Sequence, residues 1–351
     1  MRGLIAGFLS LLILASMPVP TWATRLESTD LVSTNAVLRW INLYRKHPDP
    51  AGVPTAMRAV SRLGALNDPE HAGVYAGFLA GVLAKNPRQA ENIVARTLSM
   101  REEDRWIVIR AIAYSDLPNW QAMLRHFEPR LQRYDELSKR YTSGKMARLA
   151  QFSVPPTPSG LERMRKQLHL DKLFGKKPER VVLKPNPEVL DTLWGYYFAT
   201  GDYGPVMHII ALLPLSKDHN DADRLTVGSM AKYTLASNAM HDQKLLAMLK
   251  ASRKARGESK ATVAVLNDVI DAAETVDTAR IRKEALATID ELRSKGPAFK
   301  RNVSWWGFLG ESAIAGGCLA AATAGMVALG LPCVVGGAAS SAAVNFWNNS
   351  P

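Results

Sequence analysis

Between Asn186 and Leu215 apolar and polar positions alternate with helical spacing. Leu190, Leu193, Trp194 and Tyr197 fall at i, i+3, i+4 and i+7, one stripe of an α-helix. Asn186 offers an N-cap, and Pro187 occupies the first turn, where a missing N–H is tolerated. Gly201 closes the helix as a C′ glycine, and Val206, Ile209, Ile210 and Leu213 repeat the stripe on a second helix. Two amphipathic helices joined by so few residues form an αα-hairpin that cannot bury its apolar faces alone. It needs neighbours on both sides.

The same periodicity predicts helices over 34–46 and 54–66, others opening at Asp68-Pro69 and Asn86-Pro87, and one over 101–114. A long helix is expected from Asn119 to about Tyr141, and further helices over 225–240, 243–253, 260–274 and 278–294. Within this pattern Gly73, Gly77 and Gly81 lie four apart, flanked by Ala72, Ala76, Ala80 and Ala84. Each glycine costs a helix about 1 kcal/mol relative to alanine, so three on one face require a reason. A small-residue stripe lets a second backbone approach closely. The apolar run Ala72–Ala84 is too short to span a bilayer, which favours a tight helix crossing inside a core.

Trp194, Gly195 and Phe198 reproduce the large-apolar, glycine, aromatic spacing of a tetratricopeptide hairpin, and the first hairpin resembles that family. The frame returns at Val227, Gly228 and Ala231 and faintly at Lys260, Ala261 and Ala264, over about 80 residues; bulky Met207 departs from the family's small residue. The resemblance implies an all-α superhelix of α-α hairpins and a groove that binds a protein partner. Trp194, Tyr197 and His208 are the candidate groove residues.

Composition sets the compartment. Arg2, the apolar run Leu4–Met17, Pro18, Pro20 and Thr21-Trp22-Ala23 read as a cleaved export signal over 1–23, with an uncut membrane anchor as the rival reading. The expected organisation continues with a helical array over 24–150, a basic Pro/Gly-containing linker over 151–185, a tetratricopeptide-like array over 186–296 and an apolar tail over 303–351. The chain carries a formal charge of +12. Much of it lies between Arg125 and Lys184, where fifteen Lys and Arg face six acids. Such a stretch is a solvated linker or a contact for an anionic membrane. Nucleic acid is not expected as a partner, since no recognisable binding module occurs.

From Ser312 to Pro351 there is no charged residue. Gly317, Ala321 and Gly325 make one small-residue stripe, Gly330-Leu331-Pro332 a turn, and Trp305, Trp306 and Trp347 bracket the region. The expectation is a Gly/Ala-rich hydrophobic helical hairpin that associates with a membrane, the rival being a hairpin packed on the helical domain. The only cysteines, Cys318 and Cys333, lie here and are the disulfide candidates for an exported chain. An unbroken helix to Gly330 would hold Cys318 about 18 Å from the turn, so a bridge requires a break near Gly325 or pairing between chains.

Catalytic patterns are absent. The seven histidines are scattered, and no HExxH, CxxC, GxSxG or phosphate loop occurs. Asp218-His219-Asn220-Asp221-Ala222-Asp223 lacks the turn glycine and distal glutamate of an EF-hand, and reads as an acidic helix start. Glu102-Glu103-Asp104 reads the same way. No enzyme activity, metal or cofactor is expected. The anticipated role is an exported protein-binding adaptor or scaffold at the periplasmic or envelope membrane, its partner unidentified. The alternative is a membrane-active or pore-forming protein built on the tail hairpin. Thiol labelling of non-reduced, denatured protein is expected to find no free thiol; two free thiols would remove the Cys318–Cys333 bridge.

Overall fold

Side-chain caps set several of the helix boundaries. The computed structural model describes residues 30–156, 181–218, 221–255 and 259–275, with Arg280, Lys283, Glu284 and Ala287 beyond them. The export signal, most of the 278–294 helix, the tail with Cys318 and Cys333, and residues 157–180 lie outside the described residues. The first segment holds α1 (Thr34–Leu43), α2 (Val53–Arg62), α3 (Gly73–Lys85), α4 (Ala90–Thr97), α5 (Trp106–Tyr114), α6 (Trp120–Phe127) and α7 (Asp135–Thr142). The second holds α8 (Pro187–Thr200), α9 (Tyr203–Ile210), α10 (Ala222–His241), α11 (Gln243–Arg253) and α12 (Lys260–Glu274). Among the described residues the structure is all-helical, and its sole β feature is an isolated parallel bridge between Phe152 and Leu183.

The anticipated caps of the central hairpin are in place. Asn186 Oδ1 accepts from Val189 N at 2.7 Å, and Gly201 adopts φ 64°, with its N–H donating to Tyr197 O at 2.7 Å. Asp221, Asp242 and Ser259 cap α10, α11 and α12 through their side chains. Three boundaries differ from the sequence expectation. The helix expected over 34–46 starts at Thr34 behind a Ser33 cap, whose hydroxyl accepts from Ala36 N at 3.2 Å, but its last three residues, Tyr44–Lys46, form a 3₁₀ turn. The long helix expected over 119–141 breaks into α6, two short 3₁₀ turns at Glu128–Arg130 and Gln132–Tyr134, and α7. Pro129 explains the break: it has no N–H to donate and its ring clashes with the preceding turn. Finally, α9 ends at Ile210, and Leu213–Lys217 continues as a 3₁₀ helix containing Pro214.

At the centre lies the pairing of α3 with α8, the most extensive between any two helices described. Every residue of α3 from Gly73 to Leu83 is buried, as is nearly all of α8. The glycine stripe sits in this seam. A Cβ on Gly77 would lie 1.9 Å from the Thr192 carbonyl oxygen, and one on Gly73 2.2 Å from the Glu188 carbonyl oxygen. From the opposite side, a Cβ on Gly195 would lie 2.0 Å from the Val74 carbonyl oxygen. The two backbones therefore touch, and each surrenders side chains to let the other in. Gly228, which carries the returning frame, plays the same part where α10 meets the 3₁₀ helix, with an added Cβ 2.1 Å from Ser216 N.

Aromatic rings fill the space around the seam. Trp40, Tyr44 and Phe78 meet edge-to-face at 5.0–5.5 Å and fix α1 on α3. Trp194 stacks on Phe198 at 5.7 Å, and its Nε1–H donates to Thr234 Oγ1 at 3.0 Å, fixing α8 on α10. One apolar cluster runs from Leu31 to Ala273 through both segments. Each fully buried large side chain contributes about 1.5–3 kcal/mol, so this shared cluster is the main source of stability.

Gly77→Ala and Gly195→Ala are each expected to lower the unfolding free energy by about 3 kcal/mol despite alanine's better helix propensity, because backbone blocks the new methyl. Gly204, at the start of α9, has open space where a Cβ would stand. Gly204→Ala is expected to be neutral or stabilising by about 0.5–1 kcal/mol. Chemical denaturation of the three variants checks the contrast; equal effects would refute the seam.

Candidate functional site

Helix α8 carries the polar groups that join the two segments, and it also carries two of the three expected groove residues. Trp194 and Tyr197 are both 0 % exposed. They are core residues here, because they sit on the α8 faces that pack against α10 and against the α1 side. This corrects their expected place in an open groove: a side chain without exposed surface offers a partner nothing while the fold is closed. His208, on α9, stands apart from them, half-buried with its ring 5.1 Å from that of Phe152. Burial lowers its pKa, which keeps the imidazole neutral at pH 7.

Tyr197 has a structural task. Its hydroxyl donates to Asp242 Oδ2 at 2.7 Å, and the Arg45 guanidinium pairs with the same carboxylate while lying 4.9 Å from the centre of the Tyr197 ring. The other Asp242 oxygen caps α11, accepting from Lys244 N at 3.1 Å and Leu245 N at 3.2 Å. Burial alone would raise the Asp242 pKa. The Tyr197 hydroxyl, the Arg45 charge and the Leu245 N–H outweigh it and hold the carboxyl below its ordinary 3.8. Burial, reinforced by Asp242, pushes the Tyr197 phenol up, so it stays a donor. One carboxylate thus ties the turn after α1 to α8 and α11.

A second node lies at the start of α8. Arg110 of α5 pairs with Glu188, and the guanidinium lies 5.0 Å from the Trp106 ring centre. Burial raises the Glu188 pKa, opposed by Arg110 and reinforced by Glu70 and Asp68. Burial disfavours the charge on Arg110 too, yet Glu188 together with Tyr141 and Tyr114 keeps it firmly protonated. The Tyr114 and Tyr141 rings meet edge-to-face at 6.1 Å beside it, and burial raises both phenols. A third, exposed pair, Lys85 with Asp202 at 2.8 Å, again links α3 to the turn between α8 and α9.

The acidic runs take helix-start roles. Asp104 is 1 % exposed and accepts from Ser61 Oγ at 2.5 Å and Arg101 Nε at 2.9 Å. Asp221 caps α10, and Asp218 accepts from Arg224 Nε at 2.9 Å. Among the described residues no group of three or more His, Cys, Asp or Glu is arranged to hold a metal ion. Asp242 and Glu188 were each readable as helix-start acids. Their partners Arg45 and Arg110, far away in sequence, carry no local signal.

No protein-family model matches the chain, and no curated protein or solved structure matches it. The tetratricopeptide resemblance therefore stands on this chain's own residues.

Because its folded pKa is depressed, Asp242 contributes stability that is present above 3.8 and is lost as pH falls through the lower folded value. Tyr197→Phe is expected to cost about 1–2 kcal/mol at pH 7 and progressively less as the carboxylate protonates. Urea unfolding of wild type and variant between pH 2 and pH 7 measures this. A penalty constant across that range would contradict the assignment.

Proposed function

We propose that the chain is a non-catalytic helical scaffold, exported to the cell envelope, that presents outward helix faces to a protein partner and attaches to the membrane through residues 303–351. The observation that carries the reading is the use made of buried polar groups. Arg45, Asp242, Tyr197, Arg110 and Glu188 all connect one segment to the other, the arrangement of a rigid platform. The tetratricopeptide-like array over 186–296 is part of this proposal, and Gly195 and Gly228 support it by serving close helix approach. The partner face shifts outward from the expected groove, to the half-exposed surface of α9 formed by Tyr203, Met207 and His208, with Phe152 beside it.

Among the described residues no helix is long and apolar enough to cross a membrane. The proposed attachment rests on the sequence of the C-terminal stretch, which is uncharged from Ser312 to Pro351. Contact of the basic 125–184 stretch with anionic lipid would add to it. The pore-forming alternative rests on the same tail and shares its first test. Native protein is expected to fractionate with membranes and to become soluble on deletion of 303–351; an unchanged distribution would remove the anchor. Pull-down from envelope extracts is expected to lose a specific partner on combined Tyr203→Ala and His208→Ala with helix content retained. A partner set identical to wild type would remove the α9 face.

A further inference from the structure

The connections between residues 30–156 and 181–275 are of two very different kinds. Through space they are extensive: the seam of α3 with α8, the Arg110–Glu188 pair, the Arg45–Asp242–Tyr197 node, the Lys85–Asp202 pair, and Arg224 Nη1 donating to Pro155 O at 2.9 Å. Along the chain they are slight. The two segments meet at one bridge, in which Ser153 N donates to Leu183 O at 3.1 Å and Leu183 N to Gln151 O at 3.1 Å. Beyond it the covalent link is residues 157–180, a length that when extended reaches about 80 Å.

We infer that the seam accepts the 181–275 segment of a second copy as well as its own, so that two chains can close into an exchanged dimer. Nothing in the seam distinguishes an α8 of the same chain from that of another. Each exchanged half would keep the same backbone contacts at Gly77 and Gly195 and the same ion pairs. Only the path of the link changes, and such exchange costs little when the shared interface is large. Covalent linkage presents a chain's own segment at a higher effective concentration than a dilute second copy does, so the closed single copy prevails in dilute solution. The direction of the Phe152–Leu183 bridge makes link length decisive. Because the pairing is parallel, the chain leaves past Pro156 at one end and must return to Val181 at the other, roughly 20 Å away with both stretches extended. A link too short for that return has one remaining way to fill the seam.

The inference is independent of the scaffold reading and is tested on the full chain. Two preparations carry a protease site within 157–180, one tagged before residue 30 and the other tagged after residue 275. They are unfolded, mixed, refolded at rising protein concentration and then cut. Particles of single-copy size bearing both tags, in a fraction that grows with concentration, are the expected result. Tags that never share a particle would overturn the inference. A chain lacking 157–180 gives a second reading: a dimer of native helix content is expected. A folded monomer, or a shortened chain that folds in neither form, counts against exchange.

Discussion

The fold depends on direct contact between two helix backbones. α3 and α8 approach until the carbonyl of Val74 stands where a methyl on Gly195 would be, and the carbonyl of Thr192 where a methyl on Gly77 would be. Helices normally stay 8–10 Å apart because side chains hold them there. Here the glycines remove those side chains at the contact, and dispersion between backbones replaces dispersion between side chains. Each glycine carries a propensity cost of about 1 kcal/mol in an isolated helix, so α3 gains its stability only in place against α8.

The buried charges follow from that contact. A seam between segments far apart in sequence brings their helix ends together, and both polar nodes form at such ends. Glu188 lies in the first turn of α8 and meets Arg110; Asp242 caps α11 and meets Arg45. An acid at a helix start already has backbone N–H groups and the positive end of the dipole to stabilise it. Adding an arginine from the other segment makes the pair costly to break, since either partner alone would be a buried, uncompensated charge. Packing places the segments, and the ion pairs then resist any other register.

Local chemistry was legible in the sequence and long-range pairing was not. Asn186, Pro187 and Gly201 marked α8 correctly, because caps and glycine act through neighbouring backbone. The Gly73-Gly77-Gly81 stripe announced a close crossing without identifying its partner. Pro129 was overlooked as a breaker because apolar spacing continues across it. Trp194 and Tyr197 misled for a different reason: the resemblance marks aromatic positions on a hairpin, but periodicity cannot separate a stripe that faces a groove from one that faces a core. Two arginines more than seventy positions from their acids left no trace in any local pattern.

If the seam joins both segments into one cooperative unit, native-state hydrogen exchange should show it most directly. Amides of α3 and α8 are expected to exchange last and together, with the same free energy of opening and the same dependence on denaturant, as one unit that opens only on global unfolding. Exchange of α8 at a markedly lower free energy than α3, with the 30–156 segment still protected, would contradict the account.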